Sequence, residues 1–105
     1  MIENSLTPPY YAVVFTTVLS ENQEGYEDMN KRMVELAKQQ EGYLGAESAR
    51  SEVGITVSYW RSLDAITKWK NNLLHIEARE KGREKWYTKY QLRICKVERE
   101  YGFEK

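Results

Sequence analysis

The segment from Tyr10 to Leu19, which reads YYAVVFTTVL, constrains the fold more than any other part of this 105-residue chain. Aromatic and β-branched residues dominate it and it contains no breaker, so it predicts a β-strand. Successive side chains of a strand point to opposite faces of the sheet. Apolar residues occupy both faces here: Ala12, Val14 and Val18 on one, and Val13, Phe15 and Leu19 on the other. Such a strand needs apolar cover on both sides.

The strand is followed by a predicted helix. Ser20 and Gln23 have the spacing of a capping box, so we expect the helix to begin there. It is predicted to run to about Gln40, and Gly42 is expected to end it as the C′ residue. The residues at three- and four-residue intervals, which predict its buried stripe, are Tyr26, Met29, Met33 and Leu36.

The middle of the chain predicts a β-hairpin. Alternation over Tyr43 to Ser51 and over Gly54 to Trp60 indicates two strands, with a turn near Glu52 to Gly54. Ser62 then has the properties of an N-cap for a second helix. The predicted buried stripe of that helix is Leu63, Ile66, Trp69 and Leu73.

The last part of the chain completes the order of elements. The charged run Leu74 to Tyr87 is helix-prone, with Gly82 as a predicted break, and Tyr90 to Tyr101 predicts a final strand. The order is therefore β-α-β-β-α-β. It is typical of an α+β, ferredoxin-like fold with a four-stranded antiparallel sheet and both helices on one face. We expect residues 1–9 to be a leader and residues 10–105 to form a single domain.

The apolar residues on the second face of this sheet indicate that another surface covers it. Two helices cover only one side, and leaving several apolar side chains in water would cost roughly 1.5–3 kcal/mol each. A second copy of the chain is the economical cover, and it would form a homodimer with a closed apolar interior suited to a flat ligand. The alternative is that the first and last strands are simply central strands with fully apolar ends.

Composition limits the partners and the cellular location. The 16 basic and 16 acidic residues balance, which argues against nucleic acid or an acidic membrane and favours a small hydrophobic or aromatic ligand. Cys95 is the single cysteine, so no internal disulfide can form. The start of the chain lacks a signal-peptide pattern and no apolar stretch is long enough to cross a bilayer, so we expect a cytoplasmic protein.

The candidate site residues concentrate between Trp60 and Trp86, a block that holds all three tryptophans and the single histidine. His75 is the candidate catalytic base, because an imidazole titrates near neutral pH; the alternative is a surface histidine bonded to a backbone carbonyl. Trp69 and Trp60 are substrate-binding candidates; the alternatives are that Trp69 is a core residue and that Trp60 bridges a strand end and a helix start. Asn72 either donates to a ligand oxygen or marks a bend, and Phe15 is a substrate-binding candidate on the first strand.

The chain resembles the antibiotic biosynthesis monooxygenase family of the dimeric α+β barrel superfamily. The likeness rests on Glu41-Gly42-Tyr43-Leu44-Gly45, on Tyr59-Trp60-Arg61-Ser62-Leu63-Asp64-Ala65, and on Asn72-Leu73-Leu74-His75. The resemblance implies a homodimer that oxidises an aromatic or quinol-like substrate with molecular oxygen, without a bound metal or flavin. A non-catalytic small-ligand-binding or stress-response dimer is an alternative, because fold alone does not fix function.

The haem-degrading branch of that family supplies the second alternative. Its members carry a second Trp nine residues after the first, as Trp60 and Trp69 stand here, an Asn on the first strand and a His ten residues after the second Trp. Here the strand position is about Val14 and the tenth residue is Arg79, whose guanidinium has no lone pair to offer iron. Haem therefore lacks its expected ligand position, unless His75, six residues past Trp69, takes that role on a shifted turn.

Overall fold

The four strands of the protein form one antiparallel sheet with both helices on one face. The computed structural model describes residues 5–80 and 85–105, with the side chains of α2 described as far as Leu73. The elements are β1 (Tyr10–Leu19), α1 (Tyr26–Gln39), β2 (Tyr43–Arg50), β3 (Gly54–Trp60), α2 (Leu63–Glu80) and β4 (Tyr87–Val97). The strand order is β2-β3-β1-β4, so β1 and β3 are the central strands. The predicted ferredoxin-like fold is confirmed.

The core lies between the sheet and the two helices. Val13 of β1 and Ile66 of α2 are each only 1% exposed, and Trp60 at the end of β3 is completely buried. Trp69 and Leu73 pack on this core from α2, and Ala37 packs on it from α1. The 3.6-residue periodicity explains this layer, because the predicted stripes of both helices face the same side of the sheet.

The sequence predicts the start of α2 correctly and the start of α1 incorrectly. Ser62 caps α2 as predicted, because its Oγ accepts a hydrogen bond from the amide of Ala65 at 3.1 Å. The capping box predicted at Ser20 is wrong. The Ser20 hydroxyl instead donates to the carbonyl of Lys85 at 2.6 Å, and α1 begins only after Gly25, which has a left-handed φ of +81° and no side-chain cap.

Two further sequence predictions are corrected by the structure. Leu63 is 53% exposed, because this first residue of α2 lies outside the buried core against the sheet. The last strand begins at Tyr87 and ends at Val97, and Tyr101 is 88% exposed beyond it. The predicted break at Gly82 lies outside the described residues.

The second face of the sheet is partly covered by the two ends of the chain. Leu6 donates its amide to Glu100 Oε1 at 3.1 Å, and the Tyr10 hydroxyl donates to the same oxygen at 2.8 Å. Burial raises the pKa of Tyr10 to about 12, with further contributions from the carboxylates of Glu100 and Glu47. Beyond this covered end the face stays open, because Ile55 is 45% exposed and Cys95 is exposed.

Two glycines with positive φ provide a matched test of the helix-to-sheet contact. Gly42 has a φ of +88°, and a Cβ there would lie 2.7 Å from the Cβ of Ala65, whereas a Cβ at Gly25 would meet Trp86 at an ordinary 3.6 Å. We expect Gly25→Ala to lower the free energy of unfolding by about 1–2 kcal/mol through backbone strain alone. Gly42→Ala should lower it by about 2–5 kcal/mol, because overpacking adds to the strain.

Urea denaturation of the two variants measures this difference. Equal losses at both positions would show that α2 does not approach the turn before β2 as closely as the structure has it.

Candidate functional site

An apolar cavity lies between the helix layer and the sheet, beside the core. It encloses about 100 Å³. Each layer contributes to its wall: Val13 and Phe15 from β1, Met33 and Val34 from α1, and Trp69 and Leu73 from α2. Small hydrophobic ligands bind in cavities of this kind, which have apolar walls and few polar groups.

The cavity reaches solvent on the side of α1. Asn30, Val34 and Thr56 line it and are themselves exposed, with Val34 at 41%. A closed volume of about 150 Å³ is known to hold benzene, so a ring in this smaller space must extend into the mouth. A ligand would therefore lie partly enclosed beside Trp69 and partly in the mouth.

The wall of the cavity contains an unusual polar group. Trp69 is 9% exposed, and its Nε1–H is buried without an acceptor among the described residues. A buried donor without a partner costs roughly 1–3 kcal/mol, so such groups are rare in proteins and call for an explanation. Because the nitrogen itself is closed to solvent, a ligand oxygen in the cavity would reach it only if the wall beside it opened.

The other two tryptophans satisfy their indole N–H groups within the protein. Trp60 donates from Nε1 to Ser58 Oγ at 2.9 Å, and Trp86 donates to the carbonyl of Glu24 at 2.7 Å. The Trp60 ring lies behind Trp69, with 5.1 Å between the ring centroids. Trp60 therefore supports the Trp69 ring from the core side.

The structure brings only some of the sequence-predicted site residues to the cavity. Trp69 and Phe15 line the same cavity. Asn72 is exposed and donates from Nδ2 to Gln40 Oε1 at 3.3 Å, which holds α2 against the end of α1. The predicted base His75 belongs to α2, but its side chain lies outside the part of the chain that the structure describes.

A ligand space between the sheets of two protomers stays a prediction, and the cavity seen within one chain lies on the helix side of the sheet. Its mouth residues Asn30, Val34 and Thr56 were not predicted. Asn30 and Val34 lie on a charged helix and Thr56 on an exposed strand position, so only tertiary packing brings them together. The position of Arg50 beside Thr17 and Tyr26 was also not predicted.

The described side chains provide no metal centre. No group of three or more His, Cys, Asp or Glu residues in the described ranges is arranged to hold a metal ion. In the same ranges, no helix combines the length and the hydropathy needed to cross a bilayer.

Comparison with known proteins identifies the class. Residues 9–81 match the antibiotic biosynthesis monooxygenase family, and the chain belongs to that family. It is 52% identical over 99 residues to the uncharacterized protein YqjZ of Bacillus subtilis, a match that covers 92% of this chain and 87% of YqjZ.

Solved structures share the fold at low sequence identity. PA3566 from Pseudomonas aeruginosa superimposes with a TM-score of 0.69 at 14% identity, covering 92% of this chain and 100% of that one. SnoaB from Streptomyces nogalater, a cofactor-independent oxygenase, superimposes with a TM-score of 0.70 at 10% identity, covering 89% and 97%. These likenesses support the fold, and the family match supports monooxygenase-type chemistry.

Proposed function

We propose that this protein is a small cytoplasmic monooxygenase that oxidises an aromatic or quinol-like substrate with molecular oxygen, without a bound metal or flavin. The observation that carries the proposal is the buried Nε1–H of Trp69, which has no acceptor among the described residues and belongs to a residue that lines an apolar cavity. An aromatic ring matches the apolar wall, and a hydroxyl or carbonyl oxygen on that ring accepts from Trp69. The family membership and the SnoaB fold likeness support the reaction class.

The proposed chemistry needs no external reductant. His75 takes a proton from a phenol or from an activated methylene carbon, and the resulting anion gives electrons to O₂. For a methylene substrate the balance is CH₂ + O₂ → C=O + H₂O, so one oxygen atom forms the new carbonyl and the other leaves as water. The substrate supplies all four electrons. Trp69 positions the ring by donating to its oxygen.

Oxygen uptake with a panel of quinols and activated methylene compounds tests this function. We expect protein-dependent uptake and, with ¹⁸O₂, one labelled atom in the oxygenated product. His75→Ala should lower the rate at least tenfold, as loss of a general base does. Thr67→Ala, at an exposed position of α2, is the control and should keep the wild-type rate.

The alternative functions predict different results. Absence of uptake over the whole panel, together with stoichiometric haem binding, would favour a haem protein. Ligand binding without any uptake would favour a non-catalytic binding dimer. Equal rates in wild type and His75→Ala would exclude His75 as the base.

We also propose that the open second face of the sheet is the homodimer interface. Ile55 is 45% exposed there, next to half-buried Val14 and Val57, which pair across β1 and β3. Ile55→Glu places a charge on this face, and like charges brought together cost several kcal/mol. We expect the dissociation constant of the dimer to rise at least about 100-fold.

Sedimentation velocity at micromolar concentration measures the assembly. Thr67→Glu, on the helix layer, is the control and should remain a dimer. A monomeric wild type, or an Ile55→Glu variant that is still fully dimeric, would contradict the proposed interface.

A further inference from the structure

The guanidinium of Arg50 is held on the helix-facing side of the sheet by Thr17, by Tyr26 and by the space over Gly54. This position is called the Arg50 seat. Arg50 Nη2 donates to Thr17 Oγ1 and lies 3.5 Å from the Tyr26 hydroxyl, and Cζ lies 5.9 Å from the centre of the Tyr26 ring. Thr17 is only 3% exposed, so the hydrogen bond anchors the side chain to a buried group. Three elements, β1, β2 and α1, thus fix the position of one charge.

Gly54 makes the room for this seat. A Cβ at position 54 would overlap the Arg50 guanidinium, so only glycine leaves the space that the charged group fills. Gly54 is directly opposite both Arg50 and Thr17 in the strand register. The seat is therefore a consequence of the pairing of β2, β3 and β1.

The seated charge has no carboxylate partner in the described ranges. No Asp or Glu side chain described by the structure lies within ion-pair distance of Arg50; the ion pairs found there join Lys38 to Glu35 and Lys68 to Asp64. Two contacts of Nη2 leave most of the five guanidinium N–H groups of Arg50 available. A planar fork of donors matches a carboxylate in two-point geometry.

The seat adjoins the mouth of the cavity. Thr17 follows Phe15 by two residues on the same face of β1, and Gly54 precedes the mouth residue Thr56 by two on β3. Tyr26 precedes the mouth residue Asn30 by four, one helical turn along the same side of α1. Thr17, Gly54 and Tyr26, which surround Arg50, are thus each next to a cavity-lining residue on the same face of their strand or helix.

The register of β3 sets the length of the sheet surface between the inner part of the cavity and Arg50. Trp69 lines the cavity with Ser58, whereas Arg50 lies over Gly54, four residues along β3. At about 3.4 Å per residue, these two positions are about 14 Å apart. The stretch of β3 between Ser58 and Gly54 thus has room for an elongated ligand lying along the strand. A fused two-ring aromatic acid is elongated in this way.

We infer that the ligand of this cavity is an aromatic carboxylate with a hydroxyl or carbonyl oxygen at its far end, and that Arg50 binds the carboxylate. The inference rests on the proposed function, because it assigns the substrate class of the same site. The ring enters the cavity, its oxygen accepts from Trp69, and the carboxylate remains at the mouth on Arg50.

A matched pair of probes tests the inference: 6-hydroxy-2-naphthoate and 2-naphthol, which share the ring and hydroxyl and differ in the carboxylate. We expect the wild-type protein to bind the acid about tenfold more tightly by isothermal titration calorimetry. Arg50→Gln should remove this preference and leave the affinity for 2-naphthol unchanged. Added salt should weaken binding of the acid alone.

A second variant, Gly54→Ala, keeps the charge of Arg50 but occupies the space in which its guanidinium lies. Gly54→Ala moves only the far end of the flexible Arg50 side chain, so the fold should persist while the preference for the acid falls. Binding of 2-naphthol without preference for the acid would overturn the role of Arg50 and leave the proposed oxygenase intact. Failure of both probes to bind would overturn the inferred ligand class, whereas the oxygenase stands or falls with oxygen uptake over the substrate panel.

Discussion

Trp60→Ala is expected to lower the free energy of unfolding by about 3–5 kcal/mol, as truncation of a large buried side chain does. Trp60 is completely buried, packs on Trp69 and Tyr43, and donates its indole N–H to Ser58. Alanine would leave a large cavity in the core and remove the partner of a buried hydroxyl.

Urea denaturation checks this prediction, and Leu63→Ala is the control. Leu63 is 53% exposed, so its truncation should cost less than about 0.5 kcal/mol although the periodicity of α2 predicts both residues 63 and 66 to be buried. A loss below about 1 kcal/mol for Trp60→Ala would mean that the β3 end is not packed as the structure shows.

Trp69→Phe is expected to separate binding from stability. Phenylalanine keeps an aromatic wall but removes the Nε1–H, so affinity for 2-naphthol should fall about tenfold, the value of one hydrogen bond. Stability should change by less than about 1 kcal/mol, because removing a buried donor that has no acceptor in the described part of the chain offsets the smaller packed area.

Trp86→Phe is the matched control with the opposite pattern. The Trp86 indole N–H donates to the Glu24 carbonyl, so its loss should cost about 1–3 kcal/mol of stability and leave ligand affinity unchanged. Calorimetric titration measures the ligand affinity of each variant, and urea denaturation measures its free energy of unfolding. Equal affinities in wild type and Trp69→Phe would show that Trp69 is only a core residue.

The order of elements and one helix start follow from local rules. The unbroken apolar run at Tyr10–Leu19 predicts β1 with both bounds, and Ser62 caps α2 because its partner, the Ala65 amide, is three residues away. Local signals suffice where the interaction is local. They also place Trp69 on the buried stripe.

The errors arise where a distant residue changes a local preference. The Ser20 hydroxyl satisfies the Lys85 carbonyl, 65 residues later, so its spacing from Gln23 does not start a helix. The cavity mouth and the Arg50 seat are equally inaccessible to sequence patterns, because Gly54, Thr17 and Tyr26 meet only after the strands pair and α1 packs.

The indole resonances of the three tryptophans test the central claim, that a ligand oxygen in the helix-side cavity accepts from Trp69. In a ¹H–¹⁵N spectrum each indole N–H gives one signal, and the signal missing from Trp69→Phe identifies Trp69. On addition of 2-naphthol we expect the Trp69 indole proton to move downfield, while those of Trp60 and Trp86, already bonded within the protein, move much less. A saturating titration that leaves the Trp69 signal in place would contradict the account.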